Sequence, residues 1–290
     1  MKSKRWWVPY AFLALPLTMY AIWVIIPLVQ TLILSFTNWD GVSPTYEMIG
    51  FANFRRLFGD PNFRKSLLNN VRWLVGFAGV TVPLGLLLAV FLDQKFRGSK
   101  IYKTFMYLPM TLSFVVIGQI WMWILEPRTG ALNSLLALFG LGPVGWLSDP
   151  SVVTYSLILA ASWKQISYAM VLFLAGLKLV PNELVEAAYV DGANAWRRFF
   201  SVVLPMLRPA MVIAVTISII DSLRAFDIVY VLTRGGPFYS SSVMANYMYV
   251  QAFHNYRMGY GSSIATVQFL ITLGFIIFYI RHVLKKEAEL

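Results

Sequence analysis

An all-α membrane protein with six transmembrane helices is the fold class the sequence predicts, and three observations carry that expectation. Apolar residues make up 58% of the 290-residue chain against 13% charged, with a mean hydropathy of +0.65, well above the usual range of soluble domains. The Lys and Arg that give a net charge of +11 stand in short clusters between long apolar runs. A nucleic-acid binder gathers them on one polar face instead, so that class is excluded. Each run reaches the roughly 20 residues that a helix needs to cross the hydrocarbon core. Lipid offers no partner to a bare N–H or C=O, so a helix, which pairs its own backbone, is the form such a run takes.

In chain order the runs extend from Val8 to Leu34, Val71 to Leu92, Phe105 to Leu125, Val152 to Leu177, Ala210 to Leu232 and Ile264 to Leu284. Pro16, Pro27, Pro83 and Pro109 fall inside or beside them, where neighbouring helices satisfy the carbonyls a proline frees. The first run is too long for the apolar region of a cleaved leader and lacks a small-residue cleavage pattern, so it reads as a retained span. Lys2, Lys4 and Arg5 ahead of it place the amino terminus in the cytoplasm, and six spans return the carboxyl terminus to the same side. Three further clusters then face inward: Lys95, Arg97, Lys100 and Lys103; Lys178, Arg197, Arg198 and Arg208; Arg281, Lys285 and Lys286. Arg55, Arg56, Arg64, Lys65, Arg128, Arg234 and Arg257 face outward, and the first outer loop runs against the bias. That loop, Phe51 to Phe58, spaces aromatic and basic residues as a helix lying in the interface plane does. Residues 1–290 are expected to form a single transmembrane domain.

Several chemistries are excluded. Cysteine is absent, and His254 and His282 are solitary, which leaves no thiolate or histidine metal site. No phosphate-binding G-x-x-x-x-G-K-[ST] loop occurs; Arg97-Gly98-Ser99-Lys100 lacks the upstream glycine and the terminal hydroxyl residue. No nucleophile stands with its base, so the chain is not expected to be an enzyme, nor to hydrolyse ATP.

Between the fourth and fifth runs lies a segment too structured for a plain connector, Pro181 to Phe200 followed by Leu204-Pro205. Pro181 suits a first helical position, Glu183 the positive end of a helix dipole, Gly192 a left-handed cap and Asn194 the start of a second helix. Two short helices with a glycine corner result. Leu184, Ala187, Ala188 and Asp191 fall near one face, with small residues in its middle where another backbone can approach. Glu186 and Asp191 add acid groups to a basic surface, for a partner's cations to meet. An amphipathic connector lying on the membrane is the plainer alternative, disfavoured by those two acids at an anionic surface.

This segment resembles the E-A-A…G coupling loop of binding-protein-dependent permeases, the membrane subunits of type I ABC importers. Glu186, Ala187, Ala188, Asp191, Gly192, Ala193, Leu204 and Pro205 stand at the pattern's positions. A second match, Phe226-Asp227 through Leu232-Thr233-Arg234-Gly235-Gly236-Pro237, is similar to the F-D…L-T-x-G-G-P signature of the carbohydrate subgroup of maltose and glycerol-3-phosphate type. The Asn53-Phe54 loop and Gly259-Tyr260-Gly261 fit the same subgroup. The resemblance implies a type I permease fold and a place in the bacterial inner membrane. It also implies residues 181–204 as the ATPase-coupling loop, seated in a cleft of a separate ATPase. A second homologous permease subunit, two ABC ATPase subunits carrying ATP-Mg and an extracytoplasmic solute-binding protein are the implied partners. Membrane lipid surrounds them, and this chain itself binds no cofactor.

Polar groups inside spans are costly and tend to face protein or water, so they mark candidate pathways. Trp163, Lys164, Gln165 and Tyr168 lie in the fourth run; Ser218, Asp221, Ser222, Arg224 and Asp227 lie in or beside the fifth. Ser218, Ser222 and Ala225 share a face by their four- and three-residue steps. In maltose-type permeases the equivalent faces hold the sugar, which by resemblance transfers to Lys164, Gln165, Tyr168, Ser218, Ser222 and Ala225. The solute so implied is an oligosaccharide or α-glucoside, and Arg224 keeps a sugar phosphate or glycerol phosphate open. Pairing of Arg224 with Asp221 or Asp227 is the structural alternative, as is interhelical packing for Gln119, Trp121 and Trp123. An ion-coupled secondary transporter would show two related halves with carboxylates at midplane, and no internal repeat is visible.

Overall fold

The computed structural model describes residues 8–94 and 96–288, so Lys2, Lys4, Arg5 and Lys95 lie outside it. In chain order the helices are α1 (Phe12–Leu34), α2 (Ala52–Gly59), α3 (Pro61–Asp93), α4 (Ser99–Thr111), α5 (Phe114–Ile124), α6 (Ala131–Leu138) and α7 (Val153–Leu177). They continue as α8 (Asn182–Val190), α9 (Ala195–Met206), α10 (Arg208–Leu223), α11 (Asp227–Thr233), α12 (Met244–Tyr249) and α13 (Met258–Ala288). The described regular structure is helical apart from one isolated bridge, Thr37 to Met48.

α1, α3, α7 and α13 are long and apolar enough to cross a membrane unbroken. The other two expected spans are bent. The run from Phe105 to Leu125 is two helices, α4 and α5, meeting at 107°. Leu112 and Ser113 are extended there, and the Ser113 hydroxyl accepts from the Val116 N–H at 3.3 Å, which starts a new helix. Every residue beside the break is apolar or small, so hydropathy alone does not reveal it. The run expected from Ala210 to Leu232 ends its helix at Leu223, and α11 begins afresh at Asp227. A 69° bend between α9 and α10 precedes it. Leading into that bend, Phe199–Val203 widens into a π turn in which the Leu204 N–H reaches Phe199 O. Pro205 has no N–H and crowds the carbonyl four residues back, and a widened turn relieves both.

The chain packs as two compact units. The first joins the chain up to Phe63 with Tyr247–Gly274. There Asn53 donates to Ser35 O and Thr37 O at 2.9 and 2.8 Å, tying α2 to the end of α1. Asp60 accepts from the Tyr247 and Tyr260 hydroxyls, and the Arg56 guanidinium lies 4.8 Å from the Tyr260 ring centre. Burial pushes the Asp60 carboxyl up, but those hydroxyls and the backbone N–H groups of Asn62 and Phe63 outweigh it and hold it below its usual value. The glycines flanking Tyr260 allow this closeness: a Cβ on Gly259 would stand 2.1 Å from Thr37 O, and one on Gly261 2.6 Å from the Ala252 Cβ. α1 buries nothing along its apolar stretch and leaves its sides to lipid or to another subunit.

The second unit, Arg64–Asn246 with the chain from Phe275 onward, is built around α7, the most buried of the long helices. α4, α5, α10 and α11 pack on it. Small residues set the distances: a Cβ on Gly85 of α3 would meet the Ala169 Cβ at 2.5 Å, and one on Gly118 of α5 would meet the Val231 side chain at 2.6 Å. Close backbone approach of this kind is how helices associate where lipid removes the hydrophobic drive. Two apolar clusters result, one around Trp73, Phe77, Leu157 and Val229, the other around Ala89, Met170, Phe173 and Ala214.

Candidate functional site

The segment after α7 forms the two helices and corner that its residues dictate. α8 opens with Glu183 in its first turn, and Gly192 closes it at φ +80, a conformation a side chain would strain. Pro181 sits one place earlier than expected, at the cap rather than in the first helical position. Asn194 accepts from the Arg197 N–H at 2.9 Å and so starts α9. The corner is braced: Arg198 donates to Ala193 O at 2.8 Å while its guanidinium lies 5.1 Å from the Tyr189 ring centre. Trp196 stacks on Phe200 at 5.7 Å and 9°, and Phe199 meets Phe200 edge-on at 5.2 Å. Glu186, Ala187 and Asp191 are exposed, with Ala188 half-buried beside them. Neither acid makes a hydrogen bond or ion pair within the described chain. A stiff knob thus presents unpaired carboxylates on an open face.

The polar residues of α7 and α10 divide into two groups. Ser218 and Ser222 are fully buried. Ser218 meets the Thr81 hydroxyl at 3.2 Å and receives the Gln165 amide at 3.3 Å, while Ser222 donates to Ile219 O at 2.7 Å. Ala225 falls beyond the end of α10 and packs in an apolar cluster, so the shared helical face expected for it does not extend that far. Lys164 donates to Leu112 O at 2.7 Å, with its ammonium 4.9 Å from the Phe114 ring centre. Its charge therefore satisfies a carbonyl orphaned where α4 breaks, next to the negative end of that helix. Tyr168 is half-buried, and Asp221, Arg224 and Asp227 are exposed.

Arg224 lies within electrostatic reach of Asp221, yet no ion pair within 4.0 Å joins it to Asp221 or Asp227. The attraction between Arg224 and Asp221 thus acts through space rather than through direct contact. Among the described residues the ion pair present is Lys178 with Asp93. Trp121 and Trp163 stand edge-to-face at 6.3 Å beside this region, whereas Gln119 and Trp123 are exposed.

Two adjacent asparagines that sequence reading passed over hold the far turn. Asn69 donates to Ser240 O and Ser242 O at 2.7 and 2.9 Å. Asn70 donates to Leu223 O at 3.3 Å and accepts from the Met244 N–H at 2.8 Å. Their signal was a buried polar pair just ahead of the apolar run that starts at Val71, where a helix has no local use for two amides. These bonds fix the loop carrying Gly235-Gly236-Pro237. Gly235 stands at φ +88, where a side chain is strained, so that turn favours glycine.

Among the described residues, four helices long and apolar enough to span unbroken and two bent apolar pairs define a polytopic membrane component. The chain belongs to the family of binding-protein-dependent transport system inner membrane components, whose model matches residues 81–289. It is 37% identical over 286 residues to a probable ABC transporter permease protein of Pyrococcus horikoshii, covering 97% of this chain and 98% of that one. It is 36% identical over 245 residues to the xylose/arabinose import permease protein of Haloferax volcanii, covering 84% and 77%. Among solved structures, a chain of a bacterial ABC transporter involved in the import of the acidic polysaccharide alginate superposes with a TM-score of 0.84. That match covers 96% of both chains at 23% identity and shows a shared fold.

Proposed function

We propose that this chain is one half of the membrane passage of an ATP-driven carbohydrate importer, joined to a partner ATPase through residues 181–204. The observation that carries the reading is the braced knob of α8 and α9, whose Glu186, Ala187, Ala188, Asp191 and Gly192 form an open, uncompensated face. A conformational change passes between sites through an element that both bias, and a double helix locked by an arginine, an amide cap and stacked aromatics is such an element. In this proposal the knob and both termini face the cytoplasm. ATP-Mg binds the two ATPase subunits, a second permease completes the passage, and an extracytoplasmic protein delivers the solute.

The sugar preference is supported by the names of relatives such as the xylose/arabinose permease. Aromatic and hydrogen-bonding groups at Tyr168, Trp163 and the exposed Asp221, Arg224 and Asp227 suit a polyhydroxyl solute. Gln165 and Ser218 support that wall through their mutual bond, Ser222 through its bond to Ile219 O, and Lys164 through its bond to Leu112 O where α4 ends. Uptake by reconstituted importer, driven by ATP and insensitive to uncouplers, is the expected result. Uptake abolished by uncouplers while ATP persists would falsify it. A cysteine at Glu186 should cross-link to the ATPase, and a cross-link from the opposite side of the membrane overturns the orientation.

A further inference from the structure

Between α3 and α9 the chain leaves a groove of about 420 Å³. Its walls include Leu86, Leu87 and Val90 from α3 and Trp196, Phe199 and Phe200 from α9, and no charged side chain lines it. On this side the groove separates the knob from the helix it would have to drive. Left empty, it forfeits the dispersion contacts that make packed elements move as one body. Water fills it poorly, because a buried water needs two to four polar partners and these walls supply almost none.

Two features of α9 select the occupant. Trp196 is 71% exposed although stacked on Phe200, the position of an amphipathic ring at headgroup level. Arg197, beside it, is exposed and makes no side-chain hydrogen bond or ion pair among the described residues, whereas Arg198 is spent on Ala193 and Tyr189. The occupant is therefore apolar along its length and negative at one end. An acyl chain fits.

We propose that this groove binds one anionic phospholipid, its acyl chain lying between α3 and α9 and its phosphate held by Arg197, so that the lipid wedges the knob against the bundle. The binding follows from the groove itself; its mechanical consequence rests on the coupling role given to residues 181–204.

The complete importer, purified and delipidated in detergent, is titrated with phosphatidylglycerol or phosphatidylcholine and followed by native mass spectrometry. The wild type should retain phosphatidylglycerol with about a fivefold preference, the worth of one arginine near an anionic headgroup. Arg197→Gln should equalise the two lipids. Leu87→Trp, at a position 62% exposed and free to accept bulk, should displace the retained lipid and lower uptake per ATP in phosphatidylglycerol vesicles without changing the melting temperature. Equal retention of both lipids by the wild type, or an unchanged preference in Arg197→Gln, makes this ordinary annular lipid and overturns the proposal. Cross-linking of Leu87→Cys to the second permease, rather than to a photoreactive lipid, overturns it too by placing protein in the groove. Failure of the coupling role shows separately, as uptake per ATP unaffected by Glu186→Lys while the lipid titration stands.

Discussion

The segment joining α7 to α10 and the segment joining α11 to α12 are both glycine-cornered loops on one bundle, and they are finished in contrasting ways. The second has its backbone held by its own chain, although the Ser240 hydroxyl and the Asn246 amide oxygen beside it are buried without a partner. Asn69, Asn70 and Thr154 reach its backbone, with Thr154 donating to Ser240 O at 3.0 Å, and Ser241 closes it by donating to Gly236 O at 2.6 Å. The first is stiffened internally yet buries none of the residues of α8 or α9, and it leaves Glu186 and Asp191 without partners. Most buried polar groups in a folded chain are bonded, and the backbone of the second loop follows that rule. The free carboxylates of the first are exposed, so water or a partner can meet them.

The contrast is open to test, beginning with the largest effect. Glu186→Lys should abolish ATP-coupled uptake while leaving insertion and the melting temperature unchanged, since that side chain has no bond to lose; normal uptake would put the two loops on the same footing. Asn69→Leu should do the reverse. Stranding Ser242 O and weakening Ser240 O costs about 2 kcal/mol, seen as a lower melting temperature with the ratio of uptake to ATP hydrolysed preserved. An unchanged melting temperature would mean that the asparagine bonds do not hold the turn.

A smaller effect is expected at the proposed passage. Tyr168→Ala should raise the half-saturation for solute about fivefold, the worth of one lost hydrogen bond, with ATPase stimulation by the binding protein retained; unchanged kinetics assigns Tyr168 to packing. The smallest concerns Asp60, whose carboxyl is held below its usual value by Tyr247 and Tyr260. A lowered native pKa adds stability above the unfolded value of about 3.9, lost as pH falls through the native one. Asp60→Asn should therefore melt lower than wild type at pH 7, and the gap should close on acidification. A gap independent of pH would assign the effect to geometry rather than charge.

Much of this was legible in the residues. Pro181, Glu183, Gly192 and Asn194 specified the knob almost to the residue, because caps and left-handed corners are local chemistry that needs no tertiary partner. Gly259-Tyr260-Gly261 could be matched as a pattern, but its reason, a backbone lying against Thr37 and Ala252, is long-range. The breaks at Leu112 and Leu223 were hidden for a related cause. Hydropathy averages over a window, and a helix can stop inside an apolar run if a distant group takes up the freed carbonyls. Lys164 does this at Leu112 from 52 residues away, which also explains why it read as a passage residue.

What the sequence determined by itself was the membrane class, the six apolar runs and the shape and charge of the knob formed by α8 and α9, since all three follow from hydrophobicity and short-range backbone preference. What only the tertiary structure decided was which polar side chains are spent on the bundle and which stay open: Ser218 and Lys164 are used, Glu186 and Asp191 are not. The physical reason is that a hydrogen bond in an apolar interior is settled by whichever group lies within about 3 Å of it, and that proximity is a property of the fold.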